Sequence, residues 1–396
     1  MIPYARQSID EDDVRAVAEV LRSDFLTGGP AVDRFEAALG ETVGCPHVVA
    51  CSSGTAALHL AMLALRLGPG DAVVVPSITF LASANAVKYV GADVRFADVD
   101  PDTGLMTPET LQQALNADGP GLIRAVVVVH LNGQSVDMQG IAAVARERGL
   151  FVVEDACHAL GGASVLDGRR HPVGSAVASD LACFSFHPAK VIAMGEGGAV
   201  TTRDPDLAER VRRLRNHGMV RNPADFSERA QAFDAEGMPN PWYYEMPEPG
   251  FNYRASDIHC ALGESQLRKL STFLARRREL AALYDEALAP LAPLVRPVPR
   301  GPSEHDGWHL YVVLIDFARA GRSRAEVMRS VRDAGIGTQV HYLPVHRQPY
   351  YRTADRELTL SGADTYYERC LSLPMHCDLQ ETEIWRMIMV LRDTLA

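Results

Sequence analysis

Short apolar runs alternate with helical segments from residue 48 to residue 216. The runs are nearly continuous, as in AVVVV and LFVV, and strands of this kind are buried on both faces. This alternation is typical of a mostly parallel sheet covered by helices. It predicts strands near 48–51, 72–75, 93–97, 124–129, 150–153, 181–186 and 198–202. It predicts helices near 54–67, 77–89, 108–116, 137–148 and 204–216.

The later residues predict a smaller α/β unit. Residues 218–250 are rich in Pro, Asn, acidic and aromatic residues, so we expect an irregular excursion there. Predicted elements after it are a helix near Ala255, a long helix at about 273–289, strands at 309–315 and near 337–341, and helices at 323–334, 362–369 and 380–394. We predict a large domain over 1–270, with N-terminal helices and the 218–250 loop, and a connector helix with a small C-terminal domain over 271–396.

The N-terminal residues predict an amphipathic helix. Asp10 is suited to cap it, because an aspartate oxygen can accept from free backbone N–H groups of the first turn. Val14, Val17 and Leu21 recur on one face and form its apolar stripe.

Composition excludes several classes of protein. The 396 residues carry a net charge of −11 and no long basic block, which argues against a nucleic-acid partner. No run of eighteen apolar residues and no leader-like N-terminus occurs, so we expect a cytoplasmic protein with no membrane association. The seven cysteines form no CxxC pair and are expected to be reduced.

The segment Cys51–Ala57, with sequence CSSGTAA, ends a predicted strand and opens a helix. Its small residues, including Gly54 and Thr55, allow the backbone N–H groups to approach an anion such as a phosphate. Neither GxxxxGK[ST] nor GxGxxG is present, which argues against a P-loop or a dinucleotide site. A tight strand-to-helix turn with a capping serine explains the same residues.

Two acids and a histidine follow the strand predicted near 150–153, in the segment FVVEDACH. Asp155 could hold a heterocyclic nitrogen in its protonated form through a charge-assisted hydrogen bond, with His158 three residues later. An acidic strand end with a packing histidine is the alternative interpretation.

Lys190 lies on the connector between two predicted buried strands. A desolvated lysine amine with a lowered pKa is suited to Schiff-base chemistry. Taken alone, it could equally be a solvated loop lysine. A phosphate-binding turn, an acid and a strand-end lysine in this order are together what pyridoxal phosphate requires as an electron sink.

At this point the chain resembles the DegT/StrS nucleotide-sugar aminotransferases, which have the type I pyridoxal-phosphate aminotransferase fold. The resemblance covers essentially the whole chain. It is carried by SSGTAALHLA, PSITF, VVEDACHALG, SFHPAKVIAMGEGGAVTT, RNHGM, FNYRASDIHCALGESQL and GTQVHYLPVH. Within the family, YARQSID, GQSVDM and LSLPMHCDL are most similar to the transaminases of pseudaminic acid biosynthesis.

The resemblance implies roles for individual residues. Lys190 would form the Schiff base and move the proton, Asp155 would pair with the pyridinium nitrogen, and His158 would lie near the phenolic oxygen. The remaining cofactor contacts would come from Gly54, Thr55 and Ser185 at the phosphate, Phe80 on the ring, and Asn252.

Substrate-side roles are also implied. Asn252 and Arg254 would reach the site of a neighbouring subunit, which implies a homodimer with shared active sites. His187 would lie close to the site, and His341, Tyr342 and His346 near the nucleotide-sugar. We expect no metal there, because Pro344 interrupts the helical spacing and no acid or cysteine completes a ligand set.

The implied reaction transfers an amino group, with glutamate as expected donor, to C4 of a UDP-linked 4-keto-6-deoxy-N-acetylhexosamine. The alternative is amination at C3 or C4 of another keto sugar, for example a dTDP sugar. A dehydratase on this fold would carry histidine in place of Lys190, and a non-catalytic regulator would have no need of Lys190, Asp155 and Ser185.

The chain departs from the family pattern at three places. Ile192, Ala193 and Met194 stand where threonine or serine is common, so we expect fewer hydroxyl contacts to the phosphate. Asn132 replaces an aromatic residue or alanine. The loop over 222–249 is longer than expected.

Overall fold

The computed structural model describes residues 1–301, 306–352 and 358–396, and its largest unit is a seven-stranded sheet. The strands of the protein are β1 (His47–Cys51), β2 (Asp71–Pro76), β3 (Asp93–Ala97), β4 (Leu122–Val129), β5 (Phe151–Asp155), β6 (Ala163–Leu166), β7 (Arg169–Pro172), β8 (Leu181–Ser185), β9 (Gly198–Thr202), β10 (Val295–Pro297), β11 (Tyr311–Ile315) and β12 (Cys370–Leu373). The helices are α1 (Glu11–Leu21), α2 (Pro30–Val43), α3 (Gly54–Ala64), α4 (Leu81–Tyr89), α5 (Pro108–Asn116), α6 (Met138–Glu147), α7 (Pro205–Arg215), α8 (Arg229–Ala232), α9 (Asp257–Arg268), α10 (Leu270–Leu288), α11 (Arg324–Asp333), α12 (Ser361–Arg369) and α13 (Glu381–Leu395).

The large sheet has the strand order β1-β9-β8-β5-β4-β2-β3. β3, β2, β4, β5 and β8 pair in parallel, whereas β9 is antiparallel to both β8 and β1. Six strands therefore run in one direction and β9 alone runs back. The predicted mostly parallel α/β architecture is confirmed, and the carboxyl ends of the six strands share one edge, where ligands bind in such sheets.

The C-terminal residues form a second, three-stranded antiparallel sheet, β10-β11-β12. Its strands pack with α10, α11 and α13 around a separate apolar cluster. A short hairpin of β6 and β7 lies between the two strands β5 and β8 in the chain. None of the helices in the described ranges combines the length and apolar composition needed to cross a bilayer.

The strand predicted near 337–341 is wrong. In place of a strand, Gln339 makes an isolated bridge with Ser372, and the N–H of Gly337 donates to the carbonyl of Ile2 at 2.8 Å. Gly335, with φ of 80°, precedes this segment. The segment therefore meets β12 of the small sheet at the single residue Gln339 and does not pair with it as a continuous strand.

Two predicted helices differ in detail. α4 begins at Leu81 instead of residue 77, because the chain bends at residues 77–79 after β2 and Phe80, directly before the helix, is extended with φ of −68° and ψ of 148°. α1 has the predicted Asp10 cap, which accepts from the N–H groups of Asp12 and Asp13. Its apolar stripe is not covered, however, since Val14 and Leu21 are more than half exposed.

Candidate active site

A cavity of about 620 Å³ opens at the carboxyl edge of the large sheet. It brings together most of the residues predicted from the sequence, although their spacing along the chain is large. Those that line it are Gly54, Thr55, Phe80, Asp155, His158, Ser185, His187, Lys190, His341 and Tyr342. The cavity is therefore the candidate active site.

The turn before α3 provides an anion-binding cradle at one end of the cavity. Ser53 caps the helix, and its side chain accepts from the N–H of Ala56 at 3.1 Å. A Cβ atom at Gly54 would lie 2.7 Å from Cβ of Ser185, so only glycine fits there. The free N–H groups and the positive end of α3 suit a phosphate, and Thr55 and Ser185 add hydroxyl groups.

Asp155 ends β5 and presents its carboxylate to the cavity. Its Oδ2 accepts from the Ser83 hydroxyl at 2.6 Å, and its Oδ1 accepts from the N–H of Cys157 at 3.2 Å. Ser83 is completely buried on α4, and its hydroxyl is also hydrogen-bonded to the Thr79 hydroxyl, with the two oxygens 2.7 Å apart. These contacts fix the orientation of the carboxylate, which faces the cavity and could accept a hydrogen bond from a protonated ring nitrogen.

His158 and Tyr342 form a hydrogen-bonded pair across the cavity. The N–H of Asn132 donates to Nδ1 of His158 at 3.3 Å, so the neutral ring carries its proton on Nε2 and donates to the Tyr342 oxygen at 3.0 Å. Burial, with the charges of Lys190 and His341 adding to it, lowers the pKa of His158 well below its usual range. Burial also raises the pKa of Tyr342 well above its usual range, so its own hydrogen is available to a ligand.

Asn132 explains one departure from the family pattern. Its φ is 63°, a left-handed conformation that asparagine adopts more readily than most residues. This conformation aims its N–H at His158, and its side-chain amide donates to the Tyr366 hydroxyl at 3.2 Å.

Lys190 lies in the turn after β8, where its N–H donates to the carbonyl of His187 at 2.8 Å. Burial lowers the pKa of its amine, while Cys157 and Asp155 oppose that shift. The chain has three lysines, and the other two, Lys88 and Lys269, are held in salt bridges. Within the described ranges, Lys190 is thus the lysine that no salt bridge holds.

Three predicted residues do not line this cavity. His346 is buried behind it, where its Nδ1 lies 2.6 Å from the Ser77 hydroxyl. Asn252 pairs with Asn216, and Arg254 donates to the Asn216 side chain at 2.6 Å. All three roles therefore stay predictions.

Sequence reasoning missed several residues that line the cavity, among them Tyr4, Glu196 and His309. Tyr4 begins the shared segment YARQSID, but no residue of that segment was singled out for the site. His309 is the first residue of the strand predicted at 309–315, and a histidine at the start of an apolar strand is a signal that could have drawn attention to it. The side chains of Ala193 and Met194 are buried in the core, so the expected loss of hydroxyl contacts does not concern the cavity lining.

Fold and site together define the class of pyridoxal-phosphate-dependent aminotransferases. The cradle at Gly54, the carboxylate of Asp155 and the unpaired amine of Lys190 fit the three polar parts of the cofactor. No group of three or more His, Cys, Asp or Glu side chains that could hold a metal occurs among the described residues.

Comparison with known proteins agrees with this class. Residues 7–392 match the DegT/DnrJ/EryC1/StrS aminotransferase family, and the chain belongs to that family. It is 37% identical over 395 residues to the spore coat polysaccharide biosynthesis protein SpsC of Bacillus subtilis (strain 168), covering 99% of this chain and 96% of SpsC.

Solved structures are similar along the whole chain. The aminotransferase TlmJ from Streptoalloteichus hindustanus has a TM-score of 0.86 at 33% identity, covering 100% of this chain and 99% of TlmJ. PseC of Helicobacter pylori, an aminotransferase involved in pseudoaminic acid biosynthesis, has a TM-score of 0.86 at 27% identity, with the same two coverages. Other similar structures are pyridoxal-phosphate and pyridoxamine-phosphate forms. The predicted enzyme class, fold and cofactor are confirmed: the protein is a pyridoxal-phosphate-dependent sugar aminotransferase.

Ser83→Ala tests the contact that holds the Asp155 carboxylate. Loss of a charged hydrogen bond should weaken pyridoxal phosphate binding about 10- to 100-fold, measured by absorbance titration of the apoprotein. Ser179→Ala is the matched control, because Ser179 donates to Glu154, which does not line the cavity. Equal affinity in wild type and Ser83→Ala would contradict the role given to this contact.

Proposed function

We propose that the enzyme aminates C4 of a UDP-linked 4-keto-6-deoxy-N-acetylhexosamine, with glutamate as the amino donor, in a pathway of the pseudaminic acid type. The observation that carries the amination is the convergence of Lys190 and Asp155 in one cavity beside the Gly54 cradle. The similarity to PseC over the whole chain, together with the sequence segments shared with pseudaminic acid transaminases, supports the choice of sugar.

Each side chain of the cavity has a defined task in this proposal. Bound pyridoxal phosphate supplies an electron sink. Lys190 would hold it through Nζ. Once the nitrogen of the amino donor has displaced that Nζ, the freed amine would carry a proton between a substrate carbon and a cofactor carbon. Asp155 would accept a hydrogen bond from the protonated ring nitrogen, Ser185 with Gly54 and Thr55 would hold the phosphate, and Phe80, at the mouth of the cavity, would cover the ring.

The Tyr342 hydroxyl serves as a donor on the substrate side. Its oxygen accepts from His158, which orients the phenol and leaves its hydrogen free for a sugar oxygen or the cofactor phenolate. His341 stands beside it, with its Nδ1 2.7 Å from the Ser372 hydroxyl, and burial lowers its pKa to about 3. The imidazoles of His158 and His341 are therefore neutral at physiological pH and line the cavity as uncharged polar groups.

The charge of the cavity supports a homodimer with shared sites. Lys190 is the sole lysine or arginine among the described residues that line it, whereas a nucleotide diphosphate and glutamate are both anionic. Arg254, which lies outside its own protomer's cavity, would supply positive charge to the neighbouring one together with Asn252. The exposed apolar side chains of Val14, Leu21 and Phe25 provide surface that a second copy would cover.

The proposal extends to the organisation of the chain. We propose a division into domains 1–270 and 271–396. The apolar cluster on one face of the small sheet supports it, because its residues come almost entirely from 280–395, whereas Val312 and Leu314 of β11 pack into the cluster of the large sheet and join the two parts. We place the enzyme in the cytoplasm, where nucleotide-sugar chemistry would have its glutamate supply.

A second candidate is amination at C3 or C4 of another keto sugar, including dTDP sugars. It is favoured by the similarity to DesI, whose structure was solved in the presence of its TDP-sugar product, because the identity to DesI, at 32%, is higher than the identity to PseC, at 27%. The two candidates share every role given to the cavity residues and differ only in the sugar and nucleotide.

A product-resolved assay separates the two candidates. UDP- and dTDP-linked 3-keto and 4-keto sugars are each incubated with enzyme and ¹⁵N-glutamate, and the aminated products are identified by mass spectrometry and NMR. The proposal predicts the highest kcat/KM with the UDP-linked 4-keto-6-deoxy-N-acetylhexosamine and ¹⁵N at C4. Preference for a dTDP sugar or for C3 would contradict the proposal. The reaction of the cofactor-loaded enzyme with glutamate alone, without any sugar, tests the aminotransferase class independently of the substrate.

Shared active sites can be tested by complementation. Lys190→Ala and Arg254→Ala should each be nearly inactive as homodimers. When the two variants are co-expressed, random pairing should restore about a quarter of the wild-type sites, because half of the dimers then contain one intact site. Activity that stays at the level of the separate variants would contradict a site built from two subunits.

A further inference from the structure

A buried side chain of α9 holds the loop that carries Lys190. The base of the loop is closed by backbone hydrogen bonds from Met194 to Phe186 at 2.8 Å and from Phe186 to Gly197 at 2.9 Å. Within the loop, directly before Met194, the N–H of Ala193 donates to Oε1 of Gln266 at 3.3 Å. Both residues are buried, and neither is among the residues that line the cavity.

The amide of Gln266 is itself fixed by two further hydrogen bonds. Its Nε2 donates to Oδ2 of Asp13 at 2.7 Å and to the carbonyl of Ser8 at 2.8 Å. Asp13 is completely buried in α1, and the same Oδ2 accepts from Nζ of Lys269 at 2.6 Å. With both Nε2 hydrogens engaged, the orientation of the amide is determined and its oxygen faces Ala193.

The packing around this contact leaves little room for the loop to shift. Gly263 lies one turn before Gln266 on α9, and a Cβ atom there would come within 2.7 Å of the Met194 side chain. Met194 therefore rests directly on the helix. The loop backbone is held from one side by packing and at Ala193 by a specific acceptor.

We propose that Gln266 is a positioning residue for Lys190, acting through the N–H of Ala193 three residues further along the loop. The proposal rests on the role proposed above for Lys190 in attaching the cofactor. Gln266 does not line the cavity and touches neither substrate nor cofactor there. Its effect on the reaction is transmitted by the backbone.

The consequence concerns the protonation of the lysine amine. Burial lowers the pKa of Lys190, and that effect lasts only while the loop keeps the amine in the cavity. A loop released at Ala193 would let the ammonium group become hydrated, and its pKa would return toward the ordinary value. The neutral amine that reacts with an aldehyde would then become scarcer at neutral pH.

Gln266→Met is the variant that tests this, because methionine has a similar length and cannot accept from Ala193. The apoprotein is acetylated with acetic anhydride over a range of pH, and the labelling of each lysine is followed by peptide mass spectrometry, with Lys88 as internal reference. We expect the pKa of Lys190 to rise by about half a unit or more, which is about threefold less neutral amine. In the loaded enzyme, kcat should fall about 10- to 100-fold.

Two variants separate positioning from general stability. Lys269→Met removes the cation from Asp13 but leaves the bond between Gln266 and Ala193, so it should lower the urea midpoint without changing the pKa of Lys190. Gln266→Glu keeps the acceptor for Ala193, and its second oxygen, once protonated, can donate to Asp13. In Gln266→Glu, the pKa of Lys190 should therefore stay at its wild-type value.

A folded Gln266→Met protein with the wild-type pKa of Lys190 would overturn the proposal. If Gln266→Met does not accumulate as folded protein, Gln266→Asn applies the same test, because its shorter side chain stays polar but cannot span the gap. A pKa equally raised in Lys269→Met would also overturn it. Since the labelling uses apoprotein, its outcome is independent of whether Lys190 attaches pyridoxal phosphate.

Discussion

The common direction of six strands in the large sheet is the constraint on which the site depends. Because β1, β2, β5 and β8 all end at one edge, the cradle at Gly54, Phe80, Asp155 and the amine of Lys190 come together from distant parts of the chain. β9 begins at the same edge and runs back antiparallel to β8, so backbone hydrogen bonds close the base of the Lys190 loop. The segment with His341 and Tyr342, which is bridged to the small sheet at Gln339, forms a further wall of the cavity.

Burial of the side chains at this edge of the sheet determines the electrostatics of the cavity. Burial lowers the pKa of His158, His309 and His341, and the charge of Lys190 adds to the effect at each of them. The neutral imidazoles leave the amine of Lys190 as the basic group to which the proposed function assigns proton transfer. Lys190 is also the sole lysine or arginine among the described residues that line the cavity, and the proposed arginine from a second protomer would add positive charge for anionic substrates.

The sequence predicted the large sheet well, because strands buried on both faces leave long apolar runs such as that of β4. It failed near 337–341, where a strand-like segment meets β12 of the small sheet only through the bridge between Gln339 and Ser372. The central site residues could be predicted because each follows a strand or opens a helix. Tyr4 and Gln266 could not, since their positions depend on contacts between segments more than 250 residues apart. Tyr4 contacts His341 and Met375, and Gln266 contacts Asp13. The apolar stripe of α1 was also predicted correctly as a pattern, but the periodicity of a helix does not indicate which surface, if any, packs against its stripe.

The attachment of pyridoxal phosphate to Lys190 is the central claim, and the chain offers a direct measurement because it has three lysines. The protein is incubated with pyridoxal phosphate, reduced with borohydride and digested, and the modified peptide is identified by mass spectrometry. The account predicts that the label falls on Lys190 alone and disappears in Lys190→Ala, while Lys88 and Lys269, held in salt bridges, stay unmodified. A label that persists in Lys190→Ala, or that falls on either of the other two lysines in the wild-type protein, would contradict it.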